Sequence, residues 1–169
     1  MFERLWRKLK PGDTLTEALR SSSDSSFLDA FQRSKVFFLH LPPGCQNGFD
    51  PDISQEELLS EIRKCAKDLS ERQQFLPLRI LRDNRPVLLL FTDSNHAQPF
   101  VQHYVRQVKR VMPFEVIGIS GDAALKLLNG VDSVIFNPNS ADEYELSSQR
   151  LHLLRNLRLV AKAAQAGQS

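Results

Sequence analysis

Residues 85–94 place the tightest constraint on how this chain can fold. Five apolar residues, Val87 to Phe91, follow one another without a polar break, which is typical of a strand buried on both faces. The run ends at Thr92, Asp93 and Ser94, whose side-chain oxygens favour the start of a helix. Apolar residues at helical spacing then follow. These features predict a central strand and a covering helix, the nucleus of an α/β sheet.

Length and composition indicate one ordinary globular domain. The chain has 169 residues, enough for one well-packed core, and 41% of them are hydrophobic while 25% are charged. A net charge of +2 is too small to favour nucleic acid as a partner. The two cysteines, Cys45 and Cys65, do not make a disulfide framework, so we expect a reducing, cytoplasmic location.

Residues 1–12 form a basic amphipathic segment ahead of the predicted domain, which covers residues 13–165. The apolar side chains of the segment recur at helical spacing and are Phe2, Leu5, Trp6 and Leu9. Because so short a helix is marginal unless it packs, docking on its own domain is the simplest interpretation. A partner's groove or an anionic membrane surface are the alternatives. The sequence lacks the apolar run of about 20 residues that a membrane-spanning helix needs.

Strand and helix patterns alternate in the second half of the chain. Strands are predicted at 36–41, 76–80, 87–91, 114–119 and 133–136, with an edge strand at 144–146. Helices are predicted at 14–20, 54–73, 94–111, 123–129 and 147–164. Asp83 and Asn84 form the turn into the central strand. By the right-handed crossover rule, the strands at 87–91, 114–119 and 133–136 are parallel. The predicted fold is α/β: a single domain with a mixed sheet, a parallel βαβαβ core and helices packed on the sheet. The predicted buried cluster contains Leu89, Phe91, Tyr104, Val116 and Ile135.

Polar residues follow the carboxyl ends of the three strands that we expect to be parallel. They are Thr92, Asp93 and Ser94, then Ser120, Gly121 and Asp122, and finally Asn137, Asn139 and Ser140. Ligands and partners of parallel sheets meet that edge, so a functional surface is one interpretation of these corners. Two helix caps and a turn are the other interpretation.

The sequence carries no strong catalytic, metal-binding or cofactor-binding motif. Gly118-Ile-Ser-Gly-Asp122 resembles the start of a nucleophile elbow around Ser120, but Asp122 stands where that motif needs its last glycine. A tight turn with Asp122 as the cap of the next helix accounts for the same residues. His96 and His103 lie two turns apart on one predicted helix, too far to share a metal without other ligands. We therefore expect no catalytic residue, no metal and no cofactor.

The predicted C-terminal helix has one broad apolar face and a mixed outer side. The apolar face contains Leu153, Leu154, Leu157, Val160, Ala161 and Ala164. The outer side contains Leu151, Arg155, Arg158 and Leu159. Leucines surrounded by arginines suit the buried centre and polar rim of a protein interface, so we expect this side to contact a second copy or another protein. Scattered surface leucines without a role are the alternative.

Three segments of the chain resemble one bacterial protein family. Val87-Leu-Leu-Leu-Phe-Thr-Asp93, Val134-Ile-Phe-Asn-Pro-Asn-Ser140, and a helix at 27–32 leading into Val36-Phe-Phe-Leu39 are similar to the N-terminal domain of the SseB (enhanced serine sensitivity) family. The resemblance covers about Thr14 to Leu157. It implies one α/β module without established catalytic chemistry and with a role in contacting other proteins. The family often carries a second domain after this one, where this sequence has a helix.

Together these features predict a non-enzymatic protein–protein interaction module of the bacterial cytoplasm, an adaptor or an accessory subunit of a larger assembly. The expected partner is a protein, either a second copy or a heterologous one, and not nucleic acid. Two alternatives are a small hydrolase or transferase that uses Ser120, and a peripheral membrane adaptor that binds through residues 2–10.

Overall fold

A computed structural model describes residues 11–42, 44–67 and 77–167. The helices are α1 Pro11–Arg20, α2 Asp24–Arg33, α3 Gln55–Lys67, α4 Ser94–Val108, α5 Gly121–Ala124 and α6 Ser148–Ala166, and a 3-10 turn, Leu125–Leu128, follows α5. The strands are β1 Lys35–His40, β2 Arg79–Arg82, β3 Arg85–Leu90, β4 Glu115–Ser120, β5 Ser133–Phe136 and β6 Tyr144–Glu145. Phe2, Leu5, Trp6 and Leu9 of the N-terminal segment lie outside the described residues. None of the described helices combines the length and apolarity needed to cross a membrane.

The described strands form two sheets that meet at a bridge. A four-stranded sheet has the order β2-β3-β5-β6, and a two-stranded sheet pairs β1 with β4. β3 and β5 are parallel, whereas the pairs β2–β3 and β5–β6 are antiparallel, so the larger sheet is mixed. A bridge between Phe37 and Phe91 joins the two sheets. The predicted mixed α/β fold is confirmed.

The position of β4 differs from the prediction. The parallel pairing is confirmed for β3 and β5, but β4 pairs antiparallel with β1, from Glu115 opposite His40 to Ser120 opposite Lys35. Because β1 is also antiparallel to the end of β3 at the Phe37–Phe91 bridge, β4 runs in the direction of β3 without being its neighbour. The predicted place of β4 in a parallel core is therefore wrong.

Alternate residues of the central strands face two different layers of helices. Leu88 and Leu90 pack in the larger apolar cluster, with side chains of α1, α2, the 3-10 turn and α6. Val87 and Leu89 face the smaller cluster, which contains Ala97 of α4. This alternation follows from the two-residue period of a strand. Cover on both faces explains why the run carries no polar residue.

The predicted core cluster is confirmed except for one residue. Leu89, Phe91 and Ile135 are buried together, and Tyr104 packs against them with partial exposure. Val116 is 39% exposed, so its predicted burial is wrong. The cause is the position of β4, because Val116 belongs to a strand at the edge of a sheet and not to its centre.

Two turns beside the sheet show how local sequence sets backbone geometry. Asp83 and Asn84 have positive φ angles, 52° and 60°, which fit a type I′ turn and confirm the predicted hairpin. After β4 the predicted Asp122 cap is wrong, because the Ser120 hydroxyl accepts the N–H of Ala123 at 3.2 Å instead. A Cβ at Gly121 would overlap the Phe31 carbonyl oxygen, so only glycine fits where this turn passes α2.

A reciprocal capping pair begins α3. The backbone N–H and the hydroxyl of Ser54 donate to Glu57 Oε2, and the Glu57 N–H donates to Ser54 Oγ. The Ser54 hydroxyl, followed by its backbone N–H, holds the pKa of Glu57 below its ordinary value. Since the unfolded chain has the higher pKa, this cap contributes at neutral pH and is lost as the pH falls through the lowered pKa.

Candidate functional site

The corners that follow β3 and β5 meet in one cluster of hydrogen bonds, which we call the polar corner: Thr92, Asp93, His96, Asn137 and Asp142. Thr92 and Asn137 are almost completely buried within it. The Thr92 N–H donates to Asn137 Oδ1 at 2.9 Å, and Asn137 Nδ2 donates to Thr92 Oγ1 at 3.1 Å. The parallel pairing of β3 with β5 brings both residues to the same edge. The predicted convergence is therefore confirmed for two of the three corners.

The His96 ring lies between two carboxylates at the rim of the polar corner. Its Nδ1 is 2.8 Å from Asp93 Oδ2, and its Nε2 is 3.3 Å from Asp142 Oδ2. Asp93 also caps α4 by accepting the N–H groups of Asn95 and His96. Arg20, at the end of α1, pairs with Asp142 Oδ1 at 2.6 Å. The polar corner thus connects α1, α4 and the loop between β5 and β6.

The groups of the polar corner are engaged with one another and do not line an open site. The two nitrogens of His96 face opposite carboxylates, so the three side chains do not converge on one point as metal ligands must. Among the described residues, no three His, Cys, Asp or Glu side chains are arranged to hold a metal ion. The neighbouring loop is also hydrogen-bonded, because Ser140 Oγ donates to the Asn137 carbonyl at 2.7 Å and the Asn139 N–H donates to Glu143 at 2.6 Å. Ser94 is exposed in the first turn of α4. We interpret the polar corner as a structural element.

Replacing Asn137 with alanine should lower the free energy of unfolding by about 2–3 kcal/mol. The substitution leaves the buried N–H of Thr92 without its acceptor, which carries most of the cost. Asn137 also has a φ of 49°, which alanine adopts less readily than asparagine. Chemical denaturation with a linear extrapolation measures the change.

Asn139→Ala is the matched control for that prediction. Asn139 has a similar φ of 61°, but its side chain is exposed. The control therefore reports the backbone strain alone, and we expect it to cost less than about 1 kcal/mol. Equal losses for the two variants would contradict a stabilising role for the Thr92–Asn137 pair.

The third predicted corner, Ser120 to Asp122, contacts α2 and the residue after it. The Gly121 N–H donates to the Ser34 carbonyl at 3.0 Å, and Gln32 Nε2 lies 3.5 Å from Asp122 Oδ1. The predicted convergence of this corner with the other two is wrong, because β1 stands between β4 and β3.

The surroundings of Ser120 give little support to a nucleophile. The Ser120 hydroxyl caps α5. His40 stands opposite Glu115 at the far end of the β1–β4 pair, about 16 Å along the strand from Ser120. His96 is held between its two carboxylates in the polar corner. Neither ring is placed to act as the base that an activated serine needs.

Of the two leucines predicted on the outer side of α6, one is exposed and the other is buried. Leu159 is 64% exposed, as predicted, but Leu151 is 3% exposed and packs in the larger apolar cluster. Arg155 donates to the Val131 carbonyl, and Arg158 donates to Asn129 Oδ1. These two arginines tie α6 to the loop between the 3-10 turn and β5. The predicted exposure of Leu151 is therefore wrong, and a partner contact through Arg155, Arg158 and Leu159 stays a prediction.

The outer edge of β4 is an exposed surface that the sequence reasoning missed. β4 has one neighbour among the described strands, β1, and none of the described strands pairs with its other edge, which we call the open edge. Ile117 and Ile119 pack against the larger apolar cluster and are still only partly buried. The segment from Val116 to Ser120 contains no charge and no proline, and its register with β1 is unbroken by a bulge. This segment therefore lacks the charge, the proline and the bulge that commonly protect an edge strand from pairing.

The hydrogen bonds of β1 determine which backbone groups of β4 point outward. Phe37 exchanges both of its hydrogen bonds with Phe91, and the Leu39 carbonyl accepts the N–H of Leu78, so these two residues of β1 face away from β4. In an antiparallel pair, the residues opposite them must face outward on the other strand. Gly118 stands opposite Phe37, and Val116 stands opposite Leu39. The N–H and C=O groups of Val116 and Gly118 are therefore available to a further strand.

Comparisons of this chain with family models, curated proteins and solved structures give no match. The resemblance to the SseB family stays a prediction. The polar corner and the open edge of β4 are the two most distinctive features of the described residues.

Proposed function

We propose that this protein is a non-enzymatic protein–protein interaction module, an adaptor or accessory subunit, and that it binds a strand of its partner at the outer edge of β4. The observation that carries this proposal is the pair of outward-facing residues, Val116 and Gly118, on an edge that no other described strand occupies. An edge of this kind gains main-chain hydrogen bonds when an extended segment pairs with it. The resemblance to a bacterial family with a presumed role in protein contacts implies the same class of function.

The side chains beside this edge add an apolar contribution to binding. Val116 is 39% exposed on one face of β4. Ile117 and Ile119 are partly buried on the other face. A paired strand would remove more of all three side chains from water, which favours association at about 25 cal/mol for each Å² of apolar surface. β-branched side chains on both faces also suit pairing with another strand.

The two alternative functions have less support. The hydroxyl of Ser120 serves as a helix cap. His40 lies at the other end of the β1–β4 pair, and His96 is bound to Asp93 in the polar corner. A peripheral membrane role depends on residues 2–10, which lie outside the described residues. The polar corner, with Thr92, Asp93 and Asn137, is used within the fold, so we do not assign it to a partner.

Replacing Val116 with proline should abolish partner binding and leave the domain folded. Proline removes the outward N–H of Val116, and the ladder between β1 and β4 does not use that group. Val116→Thr is the matched control, because threonine keeps the N–H and the branched shape. Affinity capture from native host cells should recover the same partners with wild type and Val116→Thr, and lose them with Val116→Pro.

The capture experiment also defines the opposite result. If a Val116→Pro chain that melts within a few degrees of wild type captures the same proteins in the same amounts, the edge of β4 is not the binding surface. The proposed function would then have no surface in the described part of the chain to support it.

A further inference from the structure

We infer that the strand which pairs with the open edge of β4 is β4 of a second copy of this chain, antiparallel and centred on Gly118. This inference depends on the proposed function, since it names the partner at the same edge. Two features of β4 argue for a second copy over an unrelated extended segment. They are the symmetry of its outward backbone groups and the match of its side chains to themselves.

The backbone of β4 is complementary to itself around Gly118. Val116 and Gly118 face outward, and the two-residue alternation continues to Ser120, which stands opposite Lys35. A twofold axis perpendicular to the sheet at Gly118 places Gly118 opposite its own copy. The same axis places Val116 opposite Ser120 of the second copy. Every outward residue then faces another outward residue, as a hydrogen-bonded antiparallel pair requires. At Ser120 the N–H supplies this bond, because the Ser120 carbonyl accepts the first hydrogen bond of α5.

The side chains of β4 agree with this register. The axis places Ile117 of each copy opposite Ile119 of the other, on the face that packs against the larger apolar cluster. Two partly buried isoleucines per chain thus gain branched apolar partners. A register centred one residue earlier, on Ile117, would instead set Glu115 opposite Ile119. The Gly118 register keeps the only charge of β4 outside the paired segment.

Gly118 gives the centre of the pair little bulk of its own. A Cβ at this position would overlap the side chains of Lys35 and Phe37, which cross the glycine from β1. The Lys35 ammonium lies 5.5 Å from the centre of the Phe37 ring. Each copy therefore brings one lysine to the level of the axis, and the two positive charges repel. Lys35→Gln should consequently tighten the pair, most clearly at low ionic strength.

A charge pair placed across the axis tests the register directly. Val116→Lys sets a lysine on each edge and should weaken self-association about tenfold or more. Ser120→Asp should preserve the cap on α5, because aspartate also accepts a helix N–H. In the double variant, each new lysine faces the aspartate of the other copy, so dimerisation should return. Within one chain these positions are four residues apart on a strand, about 13 Å, too far to pair with each other. Ser120→Asp alone is the control, because Lys35 of the same chain stands opposite position 120 and could pair with the new carboxylate.

Sedimentation equilibrium of the full chain over a concentration series measures these effects. The inference is supported by a wild-type dimer that Val116→Lys dissociates and that the double variant restores. Circular dichroism and thermal melts of each variant check that the fold is kept. A dimer that Val116→Lys leaves unchanged, or that the double variant fails to restore, overturns the register.

The self-association result and the capture result can be told apart. A wild-type chain that is monomeric at every concentration overturns the second copy as partner. If Val116→Pro still loses proteins that wild type captures, the proposed interaction function stands with a heterologous strand on the edge. If wild type is monomeric and Val116→Pro captures everything that wild type does, both the partner and the edge are wrong.

Discussion

Replacing Leu89 with alanine should lower the free energy of unfolding by about 2–5 kcal/mol, the range for deleting a buried leucine side chain. Leu89 is completely buried in β3, between the strands on either side and the helix α4. Phe91, just after β3, is bridged to Phe37, and Ile135 is paired with Leu89 itself. Neither neighbour can move into the cavity without disturbing these main-chain hydrogen bonds. We therefore expect a value in the upper half of the range.

Leu81→Ala is the control for this prediction. Leu81 lies in the neighbouring strand β2 with 73% of its surface exposed, so its truncation should change stability by less than about 0.5 kcal/mol. Both values come from urea unfolding with a shared slope. An unchanged midpoint for Leu89→Ala would mean that β3 is not the buried centre of the sheet.

The central part of the fold could be predicted because its sequence signals are local. The unbroken apolar run of β3, the Asp83–Asn84 turn and the cap at Asp93 each depend on residues close together in the chain. The parallel pairing of β3 with β5 followed from the crossover rule. The polar corner was predicted as a meeting point for the same reason, since it lies where these two strands end.

The place of β4 could not be predicted because strand neighbours are a long-range property. The sequence shows that β1 and β4 are strands, but it does not show that β1 inserts between β4 and β3. Order along the chain favoured a β-α-β-α-β series, and tertiary pairing overrode it. The sequence of β4, Glu115-Val-Ile-Gly-Ile-Ser120, did contain one indication that it is an edge strand. Its run of consecutive apolar residues is shorter than that of β3, and it is interrupted by a glycine.

The face of α6 that docks on the domain was predicted with the wrong centre. The periodicity identified Leu154 and Leu157 correctly, and both contribute to the larger apolar cluster. It also placed Leu151 outside, because the apolar residues toward the C-terminus shifted the centre of the stripe. The side of α6 that packs on the domain is determined by its first turns, in which Arg150 and Leu151 are both buried.

No pattern in the sequence distinguishes Arg150 from the other arginines of α6. Arg150 is 4% exposed, whereas the two other arginines of this helix, Arg155 and Arg158, reach the surface. Its Nε donates to Asp24 Oδ1 at 2.9 Å, and its other nitrogens donate to the carbonyls of Leu19 and Ser21. The guanidinium also lies 4.9 Å from the centre of the Phe27 ring. Arg150 thus caps the end of α1 and connects α6 to α1 and α2.

Replacing Arg150 with alanine should lower the free energy of unfolding by about 2–4 kcal/mol, because a buried acceptor that loses its donor costs about 1–3 kcal/mol. The buried carbonyl of Leu19 and the partly buried carbonyl of Ser21 would both lose their donor. The carboxylate of Asp24 would lose its charged partner, although one third of its side chain is exposed and Gln149 still donates to it. The carbonyls therefore account for more of the loss than the carboxylate does.

Two further variants separate the contribution of the several guanidinium donors of Arg150 from that of its positive charge. Arg150→Lys keeps the charge but cannot reach Asp24 and both carbonyls at once, so it should recover less than half of the lost stability. Arg158→Ala removes an exposed contact of the same helix and should cost less than about 1 kcal/mol. Thermal unfolding of the three variants ranks them. If Arg150→Lys were as stable as wild type, the positive charge alone would hold α6 in place, and the carbonyl contacts would contribute little.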